Sequence, residues 1–512
     1  MNRTGSGATV LPRARRIICG AIACLLAAAS VAAQGRPPGA TAAGAVSVTA
    51  HTIDVGGVPL DYQAAAGLEP IADDSGKVVA NMFYVAYTKR GGDVSTRPIT
   101  FVFNGGPGAA SVILHLDAVG PKRVVLTANS APQASKSEWV DNQYTWLVFT
   151  DLVVVDAIGT GYSRSAPGVS AAQFYQPDGD ALSFARFIRA YLAAAHRERS
   201  PKFLAGESYG GTRAAVLARL LPHQFGITLS GVILISPVLN FGTLNSEYGN
   251  PNLSSDLAFA LDVPSYAATA AYFKKLRPDL GSDLPRLLRE VERWSINEYL
   301  PGLIRGDALS EEEQGHIAAA LSQYTGISET FIRAHHLRLL PREFRQQLLA
   351  EQHLVLGVWD ARVAVDPHGA RRGAEAGLAP LGGVFRDYGE RELGYATDQP
   401  YVTLSGTVQR QWDWQSNGLE GPLNVTDDLR QAMEQNPGLK VLVARGYYDL
   451  DVPYYGTEYA LNQLRLTPAV AANLTRSYYE TGHMVYTSEP MLAKLTADAA
   501  VLFVGGPLPA HP

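Results

Sequence analysis

The chain has 512 residues, of which 46% are hydrophobic and 18% charged, and its formal net charge is −5. That is a globular composition, and the length suits one large core with an insertion or two domains. No Lys/Arg run is long enough for a nucleic-acid footprint, so nucleic acid is set aside as a partner.

From the N-terminus, Arg13, Arg15 and Arg16 precede an apolar run over 17–29, and the small residues Val31-Ala32-Ala33 precede Gln34. This order predicts a signal peptide over 1–33 and an exported protein, periplasmic or extracellular. The apolar run is shorter than the roughly 20 residues a membrane span needs, so no stable span is expected after cleavage. The chain's two cysteines, Cys19 and Cys24, both lie in this segment. A mature chain of about 480 residues then relies on its core rather than on disulfides. Residues 34–45 are Gly/Ala/Pro-rich and read as a disordered leader.

Strand-like patterning begins at Val46. Thr52-Ile53-Asp54-Val55 and Val58-Pro59-Leu60-Asp61-Tyr62 flank Gly56-Gly57, which predicts a hairpin. Residues 78–87, 99–103 and 147–156 read as further strands, and 178–196 has helical periodicity. Lys202-Phe203-Leu204-Ala205 reads as a short buried strand. A helix over 212–221 and a strand over 231–236 follow. Strands alternating with helices predict an α/β fold with a mainly parallel sheet. The rhythm breaks over 245–399. Periodic Leu/Arg/Glu-rich runs at 267–276 and 284–294, and a capping box at Ser310-Glu311-Glu312-Glu313, predict a mainly helical insertion that caps the site. A strand at 439–445, a helix near 456–464, a strand at 477–480 and a terminal helix to about 504 complete the pattern. The expected core is therefore in two parts, 46–244 and 400–512.

Between the strand at 202–205 and the helix at 212–221 stands Gly206-Glu207-Ser208-Tyr209-Gly210-Gly211. It fits G-x-S-x-G, the sharp turn that lifts a serine hydroxyl above the sheet of an α/β-hydrolase. Ser208 is the candidate nucleophile. It needs a base, and the base needs a carboxylate, in the chain order serine, acid, histidine. Asp449 and His483 fit that order, each just beyond a predicted strand, where such folds place chemistry. Asp451 competes with Asp449. The oxyanion needs two N–H donors. Tyr209 follows the nucleophile and offers one, and Phe103-Asn104-Gly105-Gly106-Pro107-Gly108 is a glycine-rich loop for the other.

Together with Gly159-Thr160-Gly161-Tyr162-Ser163 and Gly482-His483-Met484-Val485, these stretches resemble the serine carboxypeptidases of peptidase family S10. They run from about residue 80 to the C-terminus in that family's order. The resemblance implies an α/β-hydrolase fold whose enzyme removes C-terminal residues from peptides through an acyl-enzyme, without cofactor. It implies Ser208 as nucleophile, His483 as general base and then acid, and Asp449 as orienting carboxylate. It puts the oxyanion hole at Gly106 and Tyr209 and substrate binding at Asn104, Gly105 and Glu207. Asn104 and Glu207 would hydrogen-bond the free C-terminal carboxylate of the peptide. Glu207 can do so only when protonated, because two carboxylates repel.

Departures from the family pattern stand beside these matches. The glycine loop is usually followed by Cys-Ser-Ser, and here by Ala109-Ala110-Ser111. A further Glu usually pairs with the Glu207 equivalent, and here the segment reads His115-Leu116-Asp117-Ala118, with Asp117 a candidate for that place. Two other readings keep the same residues. One is an esterase or acyltransferase using the same triad, and the other is a non-catalytic binding protein on a hydrolase scaffold. Trp412 and Trp414 are candidates for a pocket wall, with core packing as the alternative. His335, His336 and His353 lack zinc-ligand spacing, so no metal is expected.

Overall fold

The computed structural model describes residues 46–124, 139–245, 255–368, 381–414 and 421–504. The signal peptide and leader expected over 1–45 lie outside the described residues. Strands β1 (Ser47–Val55), β2 (Val58–Ala72) and β3 (Val78–Lys89) form an antiparallel meander. Gly56 and Gly57, at φ 61° and 81°, make the two-residue turn between the first two. Strands β4 (Ile99–Phe103), β5 (Asp151–Val155), β6 (Lys202–Glu207), β7 (Gly231–Ile235), β8 (Lys440–Gly446) and β9 (Leu474–Tyr479) are parallel to their neighbours. The order across the sheet is β1-β2-β3-β5-β4-β6-β7-β8-β9, with β3 antiparallel to β5. This is the mainly parallel sheet of an α/β-hydrolase fold.

The longer helices are α1 (Pro177–Ala194), α2 (Tyr209–Phe225), α3 (Asp256–Tyr272), α4 (Leu284–Trp294), α5 (Glu311–Thr325), α6 (Leu381–Arg391), α7 (Thr426–Gln435), α8 (Tyr454–Asn462) and α9 (Glu489–Val504). The central strands are apolar at nearly every position because both of their faces are covered. Their side chains alternate between two cores. Leu204, Val232, Leu234, Val441 and Val443 pack with α1, α2 and α7. Ala205, Ile233, Ile235, Leu442 and Ala444 pack with Leu492, Leu495 and Ala499 of α9.

Two findings revise the expected pattern. Helix α3 begins at Asp256, well before the periodic run that starts at 267. Its first half is buried almost throughout, from Ala258 to Tyr266, and Pro264 sits inside it. A helix buried on every side has no exposed polar stripe to mark its period. Second, the interval 245–399 contains two kinds of packing. Helices α3, α4 and α5 share one apolar cluster with Tyr448, Leu450 and Tyr454. Helix α6 packs on the sheet instead, with Phe385 and Tyr388 in the cluster of Phe83, Tyr87 and Tyr162. The Phe385 ring lies 4.3 Å from that of Tyr401 and 5.9 Å from that of Phe83. The capping box at the start of α5 is closed in both directions, between Ser310 and Glu313. Among the described residues no helix is long and apolar enough to cross a membrane.

Phe385→Ala is expected to cost about 3–5 kcal/mol, the range for emptying a buried aromatic site. Urea unfolding measures it. A loss within about 0.5 kcal/mol, as for a surface change, would remove α6 from the main core.

Candidate active site

Ser208 is the single residue between β6 and α2. Its backbone sits at φ 59°, ψ −126°. A non-glycine residue in so sparse a region costs on the order of 1–3 kcal/mol. Hydrogen bonds on both sides hold it there. The Ser208 N–H donates to Ile235 O at 2.9 Å, and the Gly211 N–H donates to Ser208 O at 2.8 Å.

The glycine-rich loop lies against this turn. A Cβ on Gly105 would stand 2.5 Å from the Tyr209 nitrogen and 2.4 Å from that of Gly210, so only glycine fits. Gly106 follows at φ 102°. The Asn104–Gly106 backbone is thereby laid on the first turn of α2, where the Tyr209 N–H is. Arg213 secures the contact. Its guanidinium is buried and donates from Nη1 to Asn104 O at 2.8 Å. The same group is paired with Asp180 of α1, Nε to Oδ2 at 2.6 Å and Nη2 to Oδ1 at 3.1 Å. It also lies over the rings of Phe103, Phe184 and Tyr209.

His483 Nδ1 and Asp449 Oδ2 are 2.7 Å apart. Asp449 Oδ1 accepts the N–H groups of Asp451 and Val452, each at 2.9 Å. The carboxylate that meets the histidine is therefore Asp449, not Asp451. Ser236, just past β7, donates from Oγ to His483 O at 2.6 Å. The segment 357–362 bridges the two loops. Val358 O accepts from the Leu450 N–H at 3.0 Å, and Trp359 O accepts from the His483 N–H. The Ala361 N–H donates to Tyr448 O at 2.9 Å, and Arg362 Nη1 donates to Glu480 O at 2.6 Å. Burial alone would lower the His483 pKa, but the Asp449 carboxylate outweighs it and the imidazolium is raised above its usual range.

Glu207, next to Ser208, is buried, and burial pushes its carboxyl up to about 7. The His483 charge and hydrogen bonds from Tyr486 and Asn104 hold it back, while the Asp449 charge adds to the rise. Asn104 Oδ1 is occupied by the Leu114 N–H at 2.9 Å, which leaves the amide nitrogen for Glu207. Asp117 is also buried. Its carboxyl is pushed up to about 8, by burial first and the Glu207 charge second, with Arg123 opposing. Trp412 and Trp414 meet Tyr209 edge-to-face, with ring centroids at 5.0 Å and 6.0 Å. Trp412 is buried in the main core, and Trp414 packs against it.

The serine carboxypeptidase family model matches residues 61–261. Over these residues the chain resembles the serine carboxypeptidase family. Pheromone-processing carboxypeptidase KEX1 of Yarrowia lipolytica is 31% identical over 215 residues, 41% of this chain and 32% of that protein. Serine carboxypeptidase-like 33 of Arabidopsis thaliana is 28% identical over 171 residues, 31% of this chain and 32% of that protein. The chain thus spans about a third of the length of these curated relatives. Among solved structures, a proline iminopeptidase from Mycobacterium smegmatis aligns over 86% of this chain and 99% of its own, at 14% identity and TM-score 0.36. A soluble variant of monoglyceride lipase from Saccharomyces cerevisiae aligns over 87% and 96%, at 12% identity and TM-score 0.39. The carboxypeptidase match covers Asn104, Gly105, Gly106, Glu207, Ser208 and Tyr209. Asp449 and His483 lie beyond it, and their pairing is read from their geometry.

Four contributors were absent from the sequence reading. A lone arginine in the apolar face of a predicted helix was the only available signal for Arg213. Ser236, Tyr486 and the 357–362 segment carry no local pattern, since they act by long-range contacts or through backbone atoms. Arg213→Met is expected to cost about 3–5 kcal/mol, because it strands the Asp180 carboxylate in the core. Adding Asp180→Leu should recover most of that loss in urea unfolding. If the double variant were no more stable than the single one, the ion pair would not be the source of the cost.

Proposed function

We propose that the protein is an exported serine carboxypeptidase that removes C-terminal residues from peptides. One observation carries the reading: a buried carboxyl, Glu207, adjoins the strained Ser208 and keeps its proton to about pH 7 beside the Asn104 amide. A neutral carboxyl next to an amide donor is what a peptide's terminal carboxylate requires, since an ionised one would repel it. Export is supported by the basic, apolar and small-residue order over 1–33.

In this mechanism Ser208 Oγ attacks the carbonyl carbon of the last peptide bond. His483 takes the hydroxyl proton at Nε2, because Nδ1 is engaged by Asp449. The N–H groups of Gly106 and Tyr209 receive the oxyanion. His483 then passes the proton to the leaving amino acid, whose carboxylate is held by Asn104 and Glu207. Water repeats the sequence on the acyl-enzyme and frees Ser208.

The two titrating groups act in opposite directions. His483 must lose a proton to act as base, so activity rises with pH on that limb. Glu207 must keep its proton, so its ionisation lowers kcat/KM on free-carboxylate peptides as pH rises. The expected profile is a bell for an N-blocked dipeptide with a free C-terminus. The amidated dipeptide should be a poor substrate throughout. Glu207→Gln should remove the descending limb, because an amide donates at any pH. A descending limb that survives Glu207→Gln would take Glu207 out of carboxylate recognition. Ser208→Ala and His483→Ala should each lower turnover by on the order of 10⁴ or more. Wild-type cleavage of simple esters, with no amino-acid release from either dipeptide, would move the protein to the esterase or acyltransferase reading.

A further inference from the structure

Glu207 has a hydrogen-bond partner that the sequence did not suggest. Tyr486, three residues past His483, donates its hydroxyl to Glu207 Oε2 at 2.6 Å. Both side chains are 3% exposed, so water does not supply the bond. Asp117, the sequence candidate for this partnership, has an Oδ1 without any hydrogen-bond partner. The Glu207 charge helps to push the Asp117 carboxyl up.

A phenol has one proton to donate. With that proton on Oε2, the acid proton of a neutral Glu207 belongs on Oε1. Oε1 is then the oxygen that can donate to a ligand. Burial and the Glu207 charge keep the Tyr486 phenol protonated far above the working range, so it does not change charge with pH. The other titratable groups facing Glu207 are His483, Asp449 and Asp117, with Arg123 beyond Asp117.

We propose that the Tyr486 hydroxyl is a positioning group for substrate recognition, holding Glu207 by one oxygen so that the other presents its proton to the peptide's terminal carboxylate. This rests on the carboxypeptidase reading. The bond also favours ionised Glu207, so it lowers the pH at which recognition fails. Removing it therefore has two effects of opposite kind: poorer orientation, seen in KM, and a proton held to higher pH.

The test is Tyr486→Phe, which keeps the ring and its packing. On the free-carboxylate dipeptide, KM should rise several-fold at pH 5 with kcat little changed. The descending limb of kcat/KM should move upward by about one pH unit, the size expected for losing a hydrogen bond to an ionised group. The rising limb should stay in place. In a Glu207→Gln background, Tyr486→Phe should shift no limb. If wild type shows the bell and Glu207→Gln removes the descending limb, yet Tyr486→Phe leaves that limb in place or moves it down, the Tyr486 proposal falls alone. If wild type does not prefer free carboxylates, the Glu207 reading fails and the Tyr486 role fails with it.

Discussion

The site depends on two backbones meeting where no side chain fits. The Asn104–Gly105 peptide lies on the first turn of α2, and a single methyl group on Gly105 would collide with the Tyr209 and Gly210 nitrogens. That contact brings a strand-end loop from β4 and the turn after β6 into one feature. It puts the glycine loop beside the Tyr209 N–H and the Asn104 amide beside Glu207. Arg213 reinforces it from below, since the guanidinium that grips the Asn104 carbonyl also ties α2 to α1 through Asp180. Packing and hydrogen bonds surrounding Ser208 thus hold a conformation that its own backbone disfavours.

Charge is the second organising factor. Glu207, Asp117, Asp449 and His483 are buried close enough to feel one another. Four ionised groups could not share so dry a place. Asp449 is paired with His483, and burial pushes the Glu207 and Asp117 carboxyls up to about 7 and about 8. Tyr486 and Asn104 orient Glu207 without adding charge.

The sheet was readable because its central strands are short apolar runs separated by turn residues, and because the serine turn has a local motif. Asp449 and His483 were readable from their places after strands, since chain order and strand ends are sequence properties. The first half of α3 was not, because a helix buried on every side shows no period. Helix α6 fell inside an insertion read only as mainly helical, and nothing local marked it as packing on the sheet. Arg213, Ser236 and Tyr486 act across 109, 247 and 279 residues of chain. Such distances leave no trace in local spacing. The distance to Pro453 favours Asp449 over Asp451 in the sequence, and the Asp449 carboxylate lies 2.7 Å from His483 Nδ1.

The segment 357–362 braces the loops of Asp449 and His483 through main-chain atoms and Arg362, and Trp359 packs against the cluster that holds Val485 and Tyr486. Its carbonyls at Val358 and Trp359 hold the loops of Asp449 and His483, and the cluster of α3, α4 and α5 includes Tyr448 and Leu450 on either side of Asp449. Backbone contacts tolerate almost any side chain but no change of length. Substitutions within the helices that precede the segment leave these main-chain bonds in place. A wholesale exchange or excision of that region is a different matter. It would remove the backbone bonds that hold the Asp449 loop and the His483 loop to the segment.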